Sequence, residues 1–376
     1  MPWKKVSLMD QRRELMELAS QPGANRRELA RRYGISAKTL YKWLQRYEAQ
    51  GCEGLADQSR RPESSPLRTG CEVEQQVLAL RDAYPYWGAR KLARLLQNAG
   101  VSPVPAASTI HEILRHHGRL GQGTAAGQPP FRRFEHAQPN DLWQMDFKGY
   151  VRNVRGICHP LTVLDDHSRF SLCLAACSDQ RGDTVQPRLI ETFRRYGLPR
   201  RMTMDNGPPW GGDVDGLGYT GLTVWLMQLG IAVSHSRPYH PQTQGKDERF
   251  HRTLKAELLQ QRCFADNGDA QRAFDRYRQT YNQQRPHEAL GMAVPLQRYR
   301  ASVIAYPERL PIVEYLLTDR VYKVGKNARI EVQSRRIKIG KAFIGQRIAL
   351  RPTAEDGCFA VWFSRFEIGE IDLRTS

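Results

Sequence analysis

The sequence predicts a modular chain: two all-α modules, an α/β core with a mixed five-stranded sheet and flanking helices, and a small all-β barrel. Three patterns indicate this order. Helical periodicity broken by short turns fills 8–50 and 69–117, short β-type runs alternate with helical stretches over 143–260, and apolar residues alternate after 307. At 376 residues the chain is also too long for one ordinary core.

Two stretches without periodicity divide the helical modules from each other and from the core. One is rich in Pro, Ser and Arg and the other in Gly, Gln and Pro, as linkers are. We therefore expect linkers at 55–68 and 121–137. The expected domains are 1–54, 69–120, a core with a C-terminal helical extension at 138–300, and the β domain at 307–376.

The net charge of +18, from 57 Lys and Arg against 39 Asp and Glu, suits a polyanionic partner and makes nucleic acid the default expectation. No apolar run is long enough to cross a bilayer, and the N-terminus lacks the apolar region of a signal peptide, so we expect a cytoplasmic protein without a membrane partner. The seven cysteines form no CxxC, which argues against a disulfide framework and a zinc ribbon.

The first module contains a helix-turn-helix pattern. Gly34 permits a tight turn and Ser36 can cap the helix that follows. On that helix the apolar stripe consists of Leu40, Trp43, Leu44 and Tyr47, whereas Lys38, Thr39, Tyr41, Lys42 and Arg46 point elsewhere. This second set could enter a major groove. An ordinary helical hairpin with a solvated basic face is the alternative.

The second module resembles the first in pattern. One helix opens at 86–92, and after a break at 100–105 another runs from Ser108 to His117 with an apolar interior. Its outward residues, and hence its candidate DNA contacts, are Ser108, Thr109, His111 and Arg115. A purely structural three-helix unit explains the pattern nearly as well.

The C-terminal domain has a basic edge. Arg335, Arg336, Lys338 and Lys341 follow one another between alternating apolar positions. These cations could touch a DNA backbone or could only keep an edge strand soluble, and the two interpretations are equally good.

Two aspartates stand at strand positions where a carboxylate is unusual. Trp143, Met145 and Phe147 occupy one face of a strand and send Asp146 to the other. Asp205 ends a second strand at a tight turn, where open α/β sheets place their ligands. If the two strands are parallel neighbours, the two carboxylates meet.

A third carboxylate, Glu248, lies on a helix whose apolar face is formed by Phe250, Leu254 and Leu258. Glu248 shares the opposite, polar face with Arg252 and Lys255, while Asp247 is oriented with the apolar side. We therefore prefer Glu248 to Asp247 as a ligand.

Three carboxylates are the hard oxygen ligands that Mg²⁺ or Mn²⁺ requires. Two such ions support in-line displacement at phosphorus without a covalent nucleophile. Asp165 and Asp166 are rival ligands, but they lie between two strands where Asp is a common turn former. The histidine pairs His116/His117 and His235/His240 lack cysteines at zinc-site spacing, so we interpret them as polar contacts.

Four motifs together resemble the integrase-core transposases of bacterial insertion sequences, in particular the insertion-sequence-481 group: MDF, TMDNGPPW, RPYHPQTQGKDERFHRTLK and TYNQQRPHEALGMAVP. The resemblance covers nearly the whole chain and implies an RNase H-like core. It implies a DDE-type polynucleotidyl transferase in which Asp146, Asp205 and Glu248 bind two Mg²⁺ ions, with Mn²⁺ as a substitute.

The resemblance also implies partners. These are double-stranded DNA, as transposon ends and as target, and further copies of the chain, at least as a dimer. DNA contacts are expected from His240, Gln242, Lys246, Arg252 and Lys255. The interval from Asp205 to Glu248 is longer than retroviral integrases show, and their His-His-Cys-Cys zinc unit is missing. A DNA-binding regulator with an inert core and a structure-specific nuclease without strand transfer are the alternatives.

Overall fold

Three helices, α1–α3, form the N-terminal unit. The computed structural model of the protein describes residues 7–57, 68–120, 135–211, 217–235 and 245–374, and the chain divides into two compact units, Met1–Arg68 and Thr69–Ser376. The helices are α1 (Leu8–Ala19), α2 (Arg26–Arg32) and α3 (Ala37–Gln50). Gly34 turns the chain between α2 and α3 with φ +65°, and the Ser36 hydroxyl accepts the Thr39 N–H at 3.1 Å. The predicted turn and cap are therefore present.

Three further helices open the second unit: α4 (Cys71–Ala83), α5 (Ala89–Asn98) and α6 (Ala107–His116). They surround an apolar cluster that contains Val77, Trp87, Leu92, Leu96, Ile110, Ile113 and Leu114. α5 and α6 meet at the predicted break, so the second three-helix module exists as expected.

A mixed sheet forms the centre of the second unit. Its strands are β1 (Trp143–Phe147), β2 (Val151–Asn153), β3 (Gly156–Asp165), β4 (Ser171–Cys177), β5 (Arg201–Met204) and β6 (Ala232–His235). The order is β2-β3-β1-β5-β6, with β4 paired to β3. β3 pairs antiparallel with β1, β2 and β4, whereas β5 pairs parallel with β1 and β6. The mixed topology agrees with the prediction.

The predicted first strand, 143–150, divides into two in the structure. β1 ends at Phe147, and Gly149 has φ +89°, which interrupts the extended backbone before β2 begins. The sheet consequently has six strands in the described residues instead of the expected five. β1 and β2 pair with successive stretches of β3, which itself is longer than the predicted 161–164.

Helices cover both faces of this sheet. On one face, α7 (Gly182–Tyr196) and α8 (Gly221–Gln228) pack against Trp143, Met145 and Phe147. On the other face, α9 (Gly245–Leu254) and α10 (Asn267–Gln283) pack against Leu164 and Leu174. α9 continues as one π-helical turn, Lys255–Leu259, and a short α11 (Pro295–Arg298) follows α10. None of the helices in the described ranges is long and apolar enough to cross a bilayer.

The C-terminal domain consists of two antiparallel sheets around one apolar core. Strands β7 (Arg320–Lys323), β10 (Arg347–Pro352), β11 (Cys358–Phe363) and β12 (Phe366–Asp372) form the larger sheet, and β8 (Arg329–Val332) pairs with β9 (Arg335–Lys338). Val332, Phe343, Ile348 and Val361 share a core with Val224 of α8, so the domain packs against the central unit. The small all-β domain is thus an antiparallel assembly of six short strands in the described residues.

Candidate active site

β1 presents Asp146 to the face of the sheet that carries α9. Trp143, Met145 and Phe147 belong to the core on the α7 and α8 side, so alternation turns Asp146 the other way, as predicted. Asp146 lies opposite Thr162 of β3, and its side chain is 26% exposed. The Phe147 N–H donates to Asp146 Oδ1 at 2.7 Å.

Asp205 directly follows β5, the parallel neighbour of β1. Trp143 pairs with Met202 and Gln144 with Thr203. Two parallel strands carry their carboxyl ends to the same edge of the sheet, so Asp205 comes to lie beside Asp146. The Gly207 N–H donates to Asp205 Oδ1 at 3.1 Å in the turn that the DNG motif predicts. The expectation that these strands are parallel neighbours is confirmed.

The electrostatics of Asp146 reflect this proximity. Burial, followed by the charge of the Asp205 carboxylate, raises the pKa of Asp146 to about 6, although the Phe147 N–H and Lys148 act to lower it. A divalent cation bound beside Asp146 would offset the repulsion that Asp146 experiences from the Asp205 carboxylate.

Two adjacent residues of α9, Asp247 and Glu248, are candidates for the third carboxylate. Glu248 is exposed together with Arg252 and Lys255, which is the polar face that the sequence predicted. Asp247 is only 1% exposed, on the side of α9 that faces the sheet. Burial, followed by the Asp146 charge, raises the pKa of Asp247 well above its ordinary value.

His251 and Thr162 complete a buried polar cluster around Asp247. The Thr162 hydroxyl oxygen lies 2.7 Å from His251 Nε2 and 3.2 Å from Asp247 Oδ1. His251 Nδ1 lies 3.9 Å from Asp146 Oδ2, and burial lowers the pKa of this imidazole to about 3, so His251 is neutral. Sequence reasoning missed His251 and Thr162. The i,i+4 spacing of Asp247 and His251 was the available signal.

The cluster has a donor set suited to a divalent cation. Asp146, Asp247 and His251 each offer one ligand atom, and these atoms lie within 4.8 Å of one another. Asp247 Oδ2 is buried without a hydrogen-bond partner in the described part of the chain. A buried carboxylate oxygen without a hydrogen-bond partner is energetically unfavourable, and a cation bound between it and a second carboxylate would satisfy it.

The DNA contacts expected near α9 fall into three groups. Arg252 and Lys255 are exposed beside Glu248. Lys246, in contrast, is 15% exposed and its ammonium forms an ion pair with Asp166. His240 and Gln242 lie outside the described residues.

The candidate recognition residues of the two helical modules lie on outer surfaces. Lys38, Tyr41 and Lys42 are exposed on α3, and Thr39 and Arg46 are half-buried. On α6, Ser108, Thr109, His111 and Arg115 are exposed, although Arg115 is paired with Glu112. In the C-terminal domain, Arg335, Arg336 and Lys341 are exposed and Lys338 is half-buried.

Comparison with protein-family models assigns the central region. Residues 136–241 match a model described as an integrase core domain, and residues 229–295 match a second model of the same description. The central region is an integrase core domain. Residues 319–376 match the C-terminal domain of the IS481 family transposase. Residues 11–63 match a helix-turn-helix domain and residues 39–114 a homeodomain-like domain. The resemblance to insertion-sequence transposases is confirmed.

Curated relatives align with less than half of this chain. The 39.2 kDa protein of insertion element IS476 from Xanthomonas euvesicatoria is 31% identical over 163 residues, 43% of this chain and 44% of the relative. The 31.7 kDa protein of insertion element IS407 from Burkholderia multivorans is 29% identical over 172 residues, 44% of this chain and 59% of the relative. The Gag-Pol polyprotein of baboon endogenous virus is 28% identical over 179 residues, 47% of this chain and 10% of the relative. The chain thus spans less than two thirds of each of these relatives.

Two solved structures are similar to the chain at low identity. A simian T-cell lymphotropic virus intasome in complex with PP2A regulatory subunit B56 gamma has a TM-score of 0.39 and 18% identity, with coverage of 77% of this chain and 96% of that chain. The HTLV-2 integrase catalytic core domain in complex with magnesium has a TM-score of 0.33 and 17% identity, with coverage of 44% and 99%.

Proposed function

We propose that this protein is a DNA transposase that binds the terminal inverted repeats of its own element, hydrolyses DNA at the ends and joins the 3′-hydroxyls to target DNA by transesterification. The observation that carries the proposal is the meeting of Asp146 and Asp205 at adjacent parallel strand ends, beside α9, within an integrase core domain. The two helix-turn-helix regions supply the means to recognise ends.

In this proposal Asp146, Asp205 and Glu248 are the metal ligands. When two Mg²⁺ or Mn²⁺ ions are bound, they supply activation of the attacking oxygen and stabilisation of the leaving oxygen in an in-line displacement. Glu248 is preferred because it is exposed and accessible to a phosphodiester, whereas Asp247 is enclosed between α9 and the sheet.

The surrounding residues prepare the site. The Phe147 N–H donates to one oxygen of Asp146, and the Gly207 N–H donates to one oxygen of Asp205. These hydrogen bonds fix the two carboxylates before substrate binds. Arg252 of α9 and Lys255, the first residue of the π-helical turn that continues α9, are exposed like Glu248, and their cations attract the phosphates of an incoming strand. Water-borne cations and DNA can therefore approach from the same side.

The proposed reaction requires more than one copy of the chain. An element has two ends, and each end needs an active site to cut and join it, so we infer assembly of at least a dimer on double-stranded DNA. Sedimentation of the protein with and without end-bearing DNA would measure this assembly.

The decisive experiment uses labelled DNA that carries the ends flanking the gene. The protein is incubated with this DNA and a target plasmid, with and without Mg²⁺, and the products are sequenced. Transposition predicts Mg²⁺-dependent cleavage followed by joined products. Cleavage without joining would identify a nuclease, and end binding without cleavage would identify a regulator.

Matched variants connect the products to the site. Asp146→Asn, Asp205→Asn and Glu248→Gln remove one ligand charge each and should abolish cleavage while end binding persists. Glu367→Gln removes an exposed carboxylate of β12 and should leave cleavage unchanged. Full activity in Asp205→Asn would refute the proposed role of the triad.

A further inference from the structure

A buried carboxylate outside the proposed triad is attached to the first turn of α9. Asp166 follows β3 and is 2% exposed. Its own N–H donates to the Leu142 carbonyl at 3.0 Å, and its side chain accepts the His136 N–H at 2.9 Å. The Gln144 amide donates to Asp166 Oδ1 at 2.9 Å. Asp166 is thus fixed by backbone and side-chain contacts.

Lys246, the second residue of α9, forms the ion pair with this carboxylate. Its side chain is mostly enclosed, and the Arg169 guanidinium lies near enough to repel it. A lysine in this position loses hydration, so its placement depends on the Asp166 charge. The neighbouring Asp247 N–H donates to Gln144 Oε1 at 3.3 Å. Two consecutive residues at the start of α9 are therefore tied to β1 and to the turn after β3.

These contacts fix how the first turn of α9, which carries Glu248, is rotated about the helix axis. Successive residues of an α-helix differ by about 100° around its axis. A small rotation of the first helical residues would consequently change the direction in which the Glu248 side chain projects. Phe250 and Leu254 hold the later part of α9 against the sheet, but the described contacts that hold its first residues are those of Lys246 and Asp247.

We propose that Lys246, Asp166 and Gln144 form a positioning latch that fixes the first turn of α9 and directs Glu248 toward the aspartate pair. The inference rests on the proposed function of Glu248. It changes the role expected for Lys246 from a phosphate contact to an internal partner of Asp166. Asp166 in turn is a positioning residue and not a metal ligand.

The two roles of Lys246 predict different effects for its partner. If Lys246 contacts a phosphate, Lys246→Met lowers the affinity of the protein for DNA, and Asp166→Asn leaves that affinity unchanged. A latch predicts that either variant impairs the same metal-dependent property. It also predicts non-additivity, because the second substitution removes an interaction that the first has already broken.

The test is a double-mutant cycle of Lys246→Met, Asp166→Asn and the double variant. Mn²⁺ affinity is measured by EPR of the free ion, DNA affinity by titration at several salt concentrations, and cleavage under single-turnover conditions. We expect each single variant to weaken Mn²⁺ binding or cleavage about tenfold or more, the loss typical of groups that orient a metal ligand. The double variant should be no worse than the poorer single variant, and the DNA salt dependence should be unchanged.

Two further variants keep the test decisive. Lys255→Met serves as the reference for a phosphate contact, since this lysine is exposed on the same helix. Lys246→Arg keeps the charge and should restore Mn²⁺ affinity in part, which a loss of fold would not predict. If Asp166→Asn fails to fold by circular dichroism, Gln144→Met replaces it in the cycle.

The outcomes separate the latch from the proposed function. Additive effects, or a lower salt slope in Lys246→Met alone, would overturn the latch. If the wild-type protein cleaves no DNA, the transposase proposal fails, but coupling between Lys246 and Asp166 in Mn²⁺ affinity would still establish the latch. Cleavage with uncoupled Mn²⁺ affinities would leave the transposase proposal standing and refute the latch.

Discussion

Asp247 and Glu248 are adjacent in sequence but have opposite surroundings. Asp247 is enclosed, and burial next to Asp146 raises its pKa well above the ordinary value, so an amide resembles its neutral form. Glu248 faces solvent. Glu248→Gln should therefore lower single-turnover cleavage by more than about 100-fold, beyond the loss typical of groups that only orient a ligand. Asp247→Asn should lower it by less than about tenfold.

The control for this pair is thermal unfolding, since both variants should remain folded. Loss of cleavage in Asp247→Asn together with activity in Glu248→Gln would reassign the third ligand to Asp247. The Asp146, Asp247 and His251 cluster would then be the metal site.

The ionised form of Asp146 lowers the stability of the folded protein when no cation is bound. Its pKa is about 6 in the folded protein and 3.8 ordinarily, so between these values the folded state binds more protons and stability falls as pH rises. Above pH 6 the cost is at most about 3 kcal/mol. Asp146→Asn should therefore raise the melting temperature in metal-free buffer at pH 7.5, and much less at pH 4.

Divalent cations provide the complementary measurement. Mg²⁺ should raise the melting temperature of the wild-type protein because it binds the folded state. The increase should be smaller for Asp146→Asn. An equal increase in both proteins would mean that the ion binds elsewhere.

Residue-level reasoning from sequence succeeded where the signal is local. Alternation along β1 and the tight turn after β5 indicated Asp146 and Asp205, and they predicted that the two carboxylates meet if their strands are parallel neighbours. His251 and Thr162 could not be found in this way, because their contact depends on how α9 packs across β3. The partner of Lys246 was missed for the same reason, since Asp166 is indistinguishable from a turn residue in sequence.

At the level of elements, the second helical module contacts the end of α10 and the residues that follow it. The Tyr84 hydroxyl donates to Gln284 at 2.9 Å, and Arg90 pairs with Glu288 at 3.6 Å. Lys91 lies within the electrostatic reach of Arg285, Glu257, Glu288 and Arg249, and burial followed by Arg285 lowers its pKa to about 8. The module thus contacts the integrase core region through an exposed hydrogen bond, an exposed ion pair and the partly buried Lys91.

Lys91→Met should stabilise this junction at neutral pH. The unfolded chain keeps the lysine proton up to about pH 10.5 and the folded chain only to about 8, so stability rises with pH between these values. The variant should gain about 1 to 3 kcal/mol at pH 7, and the gain should vanish above pH 10.5. Urea unfolding across this range measures the difference.

The exposed lysine of β7 supplies the control. Lys323→Met should change stability by less than about 0.5 kcal/mol at every pH, as surface substitutions usually do. A Lys91→Met variant that is less stable at pH 7 would show that attraction to Glu257 and Glu288 outweighs burial.

Sequence predicted the elements better than their boundaries. Three helices of the core and five strands of its sheet were expected, because their hydrophobic periodicity is strong, whereas α10 and α11 were expected only as a helical extension without bounds. The division of the first strand was not, since Gly149 alone did not distinguish a break from a bend. The π-helical turn at Lys255–Leu259 was also missed, because its wider hydrogen-bonding pattern leaves no periodic signal over five residues.

At the scale of the whole molecule, the first 68 residues form a compact unit of their own. A protein that begins at Thr69 should therefore retain the fold of the remainder, with a melting temperature within a few degrees of the full-length protein. It should lose affinity for element ends relative to random DNA, because the α3 recognition surface is gone. Competition binding at fixed salt measures the ratio of the affinity for element ends to the affinity for random DNA.

The corresponding substitution control leaves the unit in place. Lys42→Ala removes one exposed cation of α3 and should reduce end affinity without affecting the melting temperature. Undiminished end preference in the truncated protein would assign recognition to the second module.

The contacts between Thr162 and His251 and between Gln144 and Asp247 connect residues about 90 and 100 positions apart. A nascent chain that has left the ribosome only as far as β6 therefore holds both aspartates without the helix that would enclose them. Translation itself therefore delays the assembly of the site that we propose for DNA cleavage until α9 has been made. Under the proposed function, fragments truncated before α9 are for this reason expected to be harmless to the genome that encodes them.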